Sequence, residues 1–172
     1  MNTKRLTQLS MLIAVYVVLA ILTPIKVANF KFTFEAFPVL VASLLLGPVD
    51  GLIVGGVGSF IYQLLFSGYG ITATTLLWVL PHAISGYVVG LYAKSKNFEI
   101  EFKDVSFIGA ISAFIVTGLN ILALYVDSKV FGYYSAALIF ANIPIKLITG
   151  IILAILYATI IPNLLKLLKT KE

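Results

Sequence analysis

The apolar positions of this chain fall into long unbroken runs, separated by short breaks of polar residues, glycine and proline. Lipid offers no partner to a backbone N–H or C=O, so runs of this length satisfy their own hydrogen bonds as helices. The first run predicts a helix over about 5–23, closed where Thr23 precedes Pro24, because the residue before a proline is pushed out of the helical region. From Ile25 to Glu35 aromatic and polar residues alternate, which predicts an extended, half-buried segment. A second helix, about 36–46, is too short for a comfortable perpendicular span and ends at Gly47-Pro48. The third restarts at once and runs to about Phe66. Gly51, Gly55 and Ser59 recur along it at four-residue spacing, a small-residue face that lets another backbone approach closely. Ser67-Gly68-Tyr69-Gly70 makes a turn, and a fourth helix over about 72–93 contains Pro81, which predicts a kink, then Gly86 and Gly90. The stretch from Lys94 to Asp104 is the most polar in the chain and belongs in water. A fifth helix covers about 105–126, Asp127 to Tyr134 reads as a connection, and a sixth helix starts between Ala136 and Pro144 and ends near Leu168.

Composition makes the solvent of these helices a bilayer. Of 172 residues, 60% are hydrophobic and 11% charged, whereas a soluble domain is about a quarter charged. At roughly 20 residues per span the chain supplies about six spans and little else. The expectation is an all-α integral membrane protein, a six-transmembrane-helix bundle with a long external loop 1, forming a single transmembrane domain over residues 1–172. Lys4 and Arg5 precede the first run as in a signal peptide, but no small-residue cleavage site follows, so the helix is expected to be retained. Cysteine is absent, which excludes disulfides, thiolate metal sites and cysteine nucleophiles. Lysine and arginine set the orientation: Lys4, Arg5, Lys94, Lys96, Lys103, Lys166, Lys169 and Lys171 fall on one side, against Lys26, Lys31 and Lys129 on the other. Both termini are therefore expected in the cytoplasm. The net charge of +5 is distributed as topology, at the ends and in one connection, and does not form a nucleic-acid footprint.

At the junction of the second and third helices the chain reads Leu44-Leu45-Leu46-Gly47-Pro48-Val49-Asp50-Gly51-Leu52-Ile53-Val54-Gly55-Gly56-Val57-Gly58-Ser59-Phe60. This resembles the signature of the S components of energy-coupling factor (ECF) transporters. The resemblance extends over the whole chain, in its six hydrophobic helices, long first external loop and basic cytoplasmic ends. It implies a bundle that binds a vitamin from outside and docks on a transmembrane coupling subunit driven by two ATPase subunits, hydrolysing nothing itself. Docking in that family resembles a small-xxx-small contact on helix 1, usually with alanine at both ends. The nearest match here is Ser10-Met11-Leu12-Ile13-Ala14, with serine in the first place. The aromatic first loop and the outer ends of helices 4, 5 and 6 resemble the family's pocket and gate. Among the branches the chain is most similar to the folate-specific one, with pantothenate, pyridoxine, thiamine and riboflavin as alternatives.

The candidate ligand residues are the polar and aromatic groups that apolar helices do not need. Lys146 lies inside the sixth hydrophobic run, where a charge costs at least about 2.5 kcal/mol on insertion scales and normally faces a cavity or partner. A late helix start would instead leave it snorkelling at the interface. Asn142, one turn earlier on the same face, could bind the same ligand. Trp78 and His82 are four residues apart and Thr75 three before Trp78, so all share one helix face. Trp78 could stack a flat heteroaromatic ring or anchor the interface, and His82 could bind a ligand or satisfy the carbonyl freed by Pro81. Asn120 is a lone amide in the fifth helix, with a role in binding or in bonding across helices. In loop 1, Lys31, Phe34 and Glu35, with Lys26, Phe30 and Phe32, could cap the pocket, and Tyr69 stands in the next external turn. Asp50 starts the third helix, where an acid complements the helix dipole. No Gly-rich phosphate loop, no Gly-x-Ser-x-Gly sequence and no metal set accompanies the single His82, so no enzyme, cofactor or metal is expected. A proton- or sodium-coupled carrier is the competing class, disfavoured because every acid reads as a loop or helix-end residue.

Overall fold

The structure, a computed structural model, describes residues 3–23, 25–27, 30–68, 70–141 and 143–169. Among these, α1 is Thr3–Leu22, α2 Ala36–Leu46, α3 Pro48–Phe66, α4 Thr75–Ser95, α5 Phe102–Val130, α6 Ala136–Phe140 and α7 Ile143–Lys169. Between α1 and α2, β1 (Ile25–Val27) and β2 (Phe30–Phe32) form an antiparallel hairpin with Ile25 opposite Phe32. The alternation in that loop is thus expressed as strands, in an otherwise helical chain.

Contacts between helices fix the direction of each. Arg5 pairs with Asp50 and Tyr16 packs on Gly58, so α1 runs parallel to α3. Gly51 meets Gly86 and Gly55 meets His82, so α4 runs back along α3. Tyr92 bonds Asp104 and Ser85 bonds Ser112, reversing direction again into α5. Gly109 against Ala154 and Gly150 against Ala113 then bring α7 back along α5. One end of the bundle therefore gathers Arg5, Lys94, Lys96, Lys103 and Lys166, and the other gathers the hairpin, Asp127 and Lys146.

Among the described residues, five helical stretches are long and apolar enough to cross a membrane: α1, α3, α4, α5 and the run from α6 through α7. The sixth, α2, has 11 residues, about 16 Å of a hydrocarbon core about 30 Å thick. It ends beside the start of α3 at the basic end, so its first residues stand near mid-depth, and loop 1 with its hairpin belongs to the outer half. Glu35, a helix-end acid in sequence, is consequently an acid inside the bundle. It remains a helix-end acid, as the N-cap of α2.

Glycine sets the closest contacts. A Cβ on Gly51 would lie 2.5 Å from the carbonyl oxygen of Gly86, and one on Gly86 would lie 2.3 Å from that of Gly51. Further along the same seam, a Cβ on Gly55 would fall 2.3 Å from the His82 carbonyl and one on Gly90 2.3 Å from Pro48 Cα. Backbones this close gain dispersion contacts that no larger residue permits. Ser43 of α2 joins the seam by donating to Gly86 O (2.8 Å) as well as to Val39 O (2.7 Å). At the basic end Arg5 makes a two-pronged pair with Asp50, Nε to Oδ1 at 3.0 Å and an Nη to Oδ2 at 2.6 Å, although Asp50 is only 1% exposed. Asp50 therefore does more than face the dipole of α3: it ties α1 to α3.

The structure also moves three expected boundaries. A reciprocal capping box of Glu101 and Asp104 starts α5 at Phe102, inside the stretch read as a connection. At its other end nothing breaks the helix until Gly132, whose φ of 76° is left-handed, so Asp127 to Val130 form its last turn. The sixth hydrophobic run is divided into α6 and α7, with Pro144 in the first turn of α7, where its missing N–H costs nothing.

If the α3–α4 seam holds the fold, Gly86→Val should lower the melting temperature in detergent sharply or abolish folded protein. The clash is with backbone and exceeds the usual overpacking cost of about 1–3 kcal/mol. Gly118→Ala, where a new Cβ meets nothing within 4 Å, should melt within a degree or two of the parent. Equal effects in scanning calorimetry would contradict the seam.

Candidate ligand-binding site

A cavity of about 470 Å³ lies in the bundle, within the range of small-molecule sites. Every major helix contributes to its wall: Tyr16 from α1, Leu40 from α2, Tyr62 and Gln63 from α3, Trp78 and His82 from α4, Thr117 and Asn120 from α5, and Lys146, Thr149 and Tyr157 from α7. Thr33 and Glu35 close it from loop 1. Apolar side chains make most of the remaining wall, including Val116, Leu124, Leu138 and Leu153.

Its polar groups fall into two clusters. The inner one is centred on Glu35 and His82, with His82 Nε2 3.3 Å from Glu35 Oε1. The Tyr16 ring meets the imidazole edge-on at 5.4 Å and 80°. Close by, Phe37 packs on Tyr157 with ring centroids 5.6 Å apart. Tyr157 is 3% exposed, and its hydroxyl has no hydrogen-bond partner among the described residues. Ser85 and Ser112 share a hydrogen bond of 2.6 Å across α4 and α5 beneath this level. The outer cluster is Lys146 with Trp78. Lys146 is half-buried in the first turn of α7, and no acid pairs with it among the described residues. Trp78 donates from Nε1 to Asp127 Oδ1 at 3.5 Å, and the Thr74 and Tyr133 hydroxyls donate to the same carboxylate.

Of the residues singled out in the sequence, Lys146, Trp78, His82, Asn120 and Glu35 come together around this one cavity. Thr75 does not join them: it is buried at the start of α4, where its hydroxyl accepts from the Thr72 N–H at 2.7 Å. Phe34 packs against the apolar core, and its N–H donates to Thr23 Oγ1 at 3.2 Å. Lys31 is opposite Lys26 in the hairpin, but its side chain, like Asn142 and Tyr69, lies outside the described residues. Ser10 and Ala14 are exposed on α1 beside Met11, Val15 and Val18. Lys146 occupies the late-start position foreseen for an interfacial lysine, yet it lines the cavity.

Several wall residues were not singled out: Tyr16, Tyr62, Gln63, Thr117, Thr149 and Tyr157. A signal existed for Tyr157. It follows Lys146 by eleven residues, close to three turns, so both project from one face of α7, as do Thr149, Gly150 and Leu153 between them. Tyr16 and Tyr62 carried none, because a tyrosine in an apolar helix is equally a core residue.

A second cavity of about 340 Å³ lies at the basic end between α5 and α7, lined by Glu101, Asn163 and Lys166 among others.

Trp78 is the sole tryptophan, so its emission reports on Asp127 directly. Asp127→Asn keeps the shape of the side chain and removes the charge beside the indole N–H. The emission maximum of the ligand-free protein should shift. An unchanged spectrum would contradict the contact.

Comparison with known proteins gives a consistent picture. The family model described as "ECF-type riboflavin transporter, S component" matches residues 1–167. The fold is similar to that of FolT bound with folic acid, at a TM-score of 0.74 and 20% identity, covering 95% of this chain and 94% of that one. It is also similar to the S component for biotin from an ECF-type ABC transporter (TM-score 0.70, 19% identity, covering 96% and 95%). A third likeness is to the S component of a bacterial ECF transporter (TM-score 0.69, 26% identity, covering 98% and 99%). No curated protein matches the chain.

Proposed function

The chain belongs to the ECF-type riboflavin transporter S component family, a family of substrate-binding transporter subunits rather than enzymes, and from that premise we propose that it is the high-affinity vitamin-binding subunit of an ATP-driven importer, with folate as its vitamin. The observation that carries folate is Lys146. A lysine in the first turn of a helix opposes the helix dipole, and this one has no acid beside it among the described residues, so it does nothing for the fold that its apolar neighbours could not do better. An anionic ligand supplies the missing counter-charge, and the N-terminal end of α7 is itself favourable to an anion. Trp78 offers a face on which a flat ring stacks, and the apolar wall between takes the body of the ligand.

In this reading the protein lies in the bacterial cell membrane with both termini in the cytoplasm. The vitamin enters from the outer side past loop 1. The subunit works with a separate transmembrane coupling subunit and two ATPases, meeting the coupling subunit through the exposed face of α1 that carries Ser10 and Ala14. Riboflavin is the second reading, favoured by the description of the matching family model. Riboflavin is uncharged and leaves Lys146 without a role.

Titration of the detergent-purified protein with folate, riboflavin, biotin, pantothenate, pyridoxine and thiamine, followed by quenching of Trp78 and by calorimetry, separates these readings. Folate alone should bind tightly and saturably. Lys146→Met should weaken folate about 10- to 100-fold, the range of a lost charge-assisted hydrogen bond. Tight riboflavin binding that is indifferent to Lys146→Met would select the second reading, and no binding by any of the six would overturn both.

A further inference from the structure

Only the outer pole of the cavity, Lys146 with Trp78, enters the reading above. At the opposite end stands Tyr157, the lining residue furthest along α7 from Lys146. It is eleven residues away, about 16 Å of helix axis. Side chains on a helix lean toward its N-terminus, and the N-terminal end of α7 is the outer one. The Tyr157 ring therefore leans back toward the cavity and away from the basic end of the bundle. Phe37 packs on that ring with centroids 5.6 Å apart, which leaves the hydroxyl as the polar tip of an otherwise apolar group.

That hydroxyl is costly as it stands. Two buried side-chain hydroxyls, those of Ser106 and Tyr157, have no hydrogen-bond partner among the described residues, and of the two only Tyr157 lines the cavity. The nearby Ser85 and Ser112 hydroxyls are already committed to each other at 2.6 Å. A water could take the bond only with about two or more polar partners of its own, and Phe37, Leu153 and Ala154 beside Tyr157 offer apolar side chains. A phenylalanine would fill the same space without burying an unpaired donor. The chain thus holds, at the inner end of its cavity, a hydroxyl for which it supplies no partner.

We infer that the Tyr157 hydroxyl is a specificity-determining group of the site, donating a hydrogen bond to a ring carbonyl oxygen on the end of the ligand remote from Lys146. This rests on the vitamin-binding reading and deepens it by stating the chemistry of the ligand's inner end. A phenol donates more readily than it accepts, because its ring draws on the oxygen lone pairs. A carbonyl oxygen matches it, and an amine in the same place sets N–H against O–H. Burial enlarges the difference, since a group left unpaired there has no water to turn to. With an anion held at Lys146 the ligand runs inward along the cavity, and in folate the end opposite the carboxylates is a ring that carries such a carbonyl.

The test removes the hydroxyl and the carbonyl in turn. Tyr157→Phe deletes the hydroxyl and keeps the ring against Phe37. Calorimetry on the full chain in detergent compares folate with aminopterin, the analogue in which an amine replaces the ring carbonyl. The parent should bind folate more tightly than aminopterin. Tyr157→Phe should weaken folate about 10-fold and leave aminopterin unchanged. It should also leave the melting temperature of the ligand-free protein equal or higher, because the hydroxyl bonds nothing in the fold. Unchanged folate binding would overturn the inference. So would equal weakening of both ligands, since the hydroxyl would then not be reading the carbonyl. A lower melting temperature without ligand, or loss of folded protein, would give the hydroxyl a structural partner and overturn it as well. Parent protein that binds riboflavin and not folate overturns the folate reading alone. Riboflavin also carries ring carbonyls, so Tyr157→Phe should then weaken riboflavin about 10-fold, and unchanged binding would overturn the inference. Parent protein that binds no vitamin overturns both.

Discussion

The contact on which the rest depends is the glycine seam between α3 and α4. With Gly51 facing Gly86 and Gly55 facing the His82 carbonyl, the two backbones touch at distances that leave no room for a Cβ. Association in lipid cannot draw on the burial of apolar surface from water, so it relies on packing of this kind and on hydrogen bonds between helices. Ser43 locks α2 onto the seam through Gly86 O, and Arg5 locks α1 through Asp50. Four of the helices are thereby held at one end of the bundle, and α5 and α7 are joined by their own small-residue contact at Gly109, Ala113, Gly150 and Ala154.

A bundle closed in this way has its space elsewhere. Because α2 covers only part of the depth, the level above it is filled by loop 1 instead of helix, and the cavity opens between that loop and the inner faces of α3, α4, α5 and α7. The shortness of α2 and the presence of a binding site are two aspects of one feature. It also brings Glu35 to His82, two ionisable side chains that a full-length second helix would have kept apart. The outer pole has a different origin. Lys146 is brought to the cavity by the late start of α7 at Ile143, and Trp78 is oriented by Asp127, the last-turn acid of α5.

Much of this was legible in the sequence, for physical reasons that can be stated. The helices follow from unbroken apolar runs, and the seam from Gly51, Gly55, Gly86 and Gly90 at four-residue spacing, since each spacing depends on one helix alone. Lys146, Trp78 and His82 stood out because apolar helices exclude such residues. What could not be read was depth. Glu35 is adjacent to a loop in the chain, and only the direction and length of α2 place it inside the bundle. Partnership between distant elements was equally hidden. Nothing local in Asp50 or Asp127 announces Arg5 or Trp78, so one was read as a dipole complement and the other as part of a connection. Tyr16 and Tyr157 were silent because their role is decided by what faces them.

The central claim is that the cavity in the outer part of the bundle receives the vitamin whole. Crystallisation with the vitamin that titration identifies is the most direct measurement of that claim. The account predicts electron density for the ligand in the cavity, its flat ring on Trp78 and its anionic group at Lys146. Density on the lipid-facing surface, or in the second cavity beside Asn163 and Lys166 at the basic end, with the first cavity empty, would contradict it.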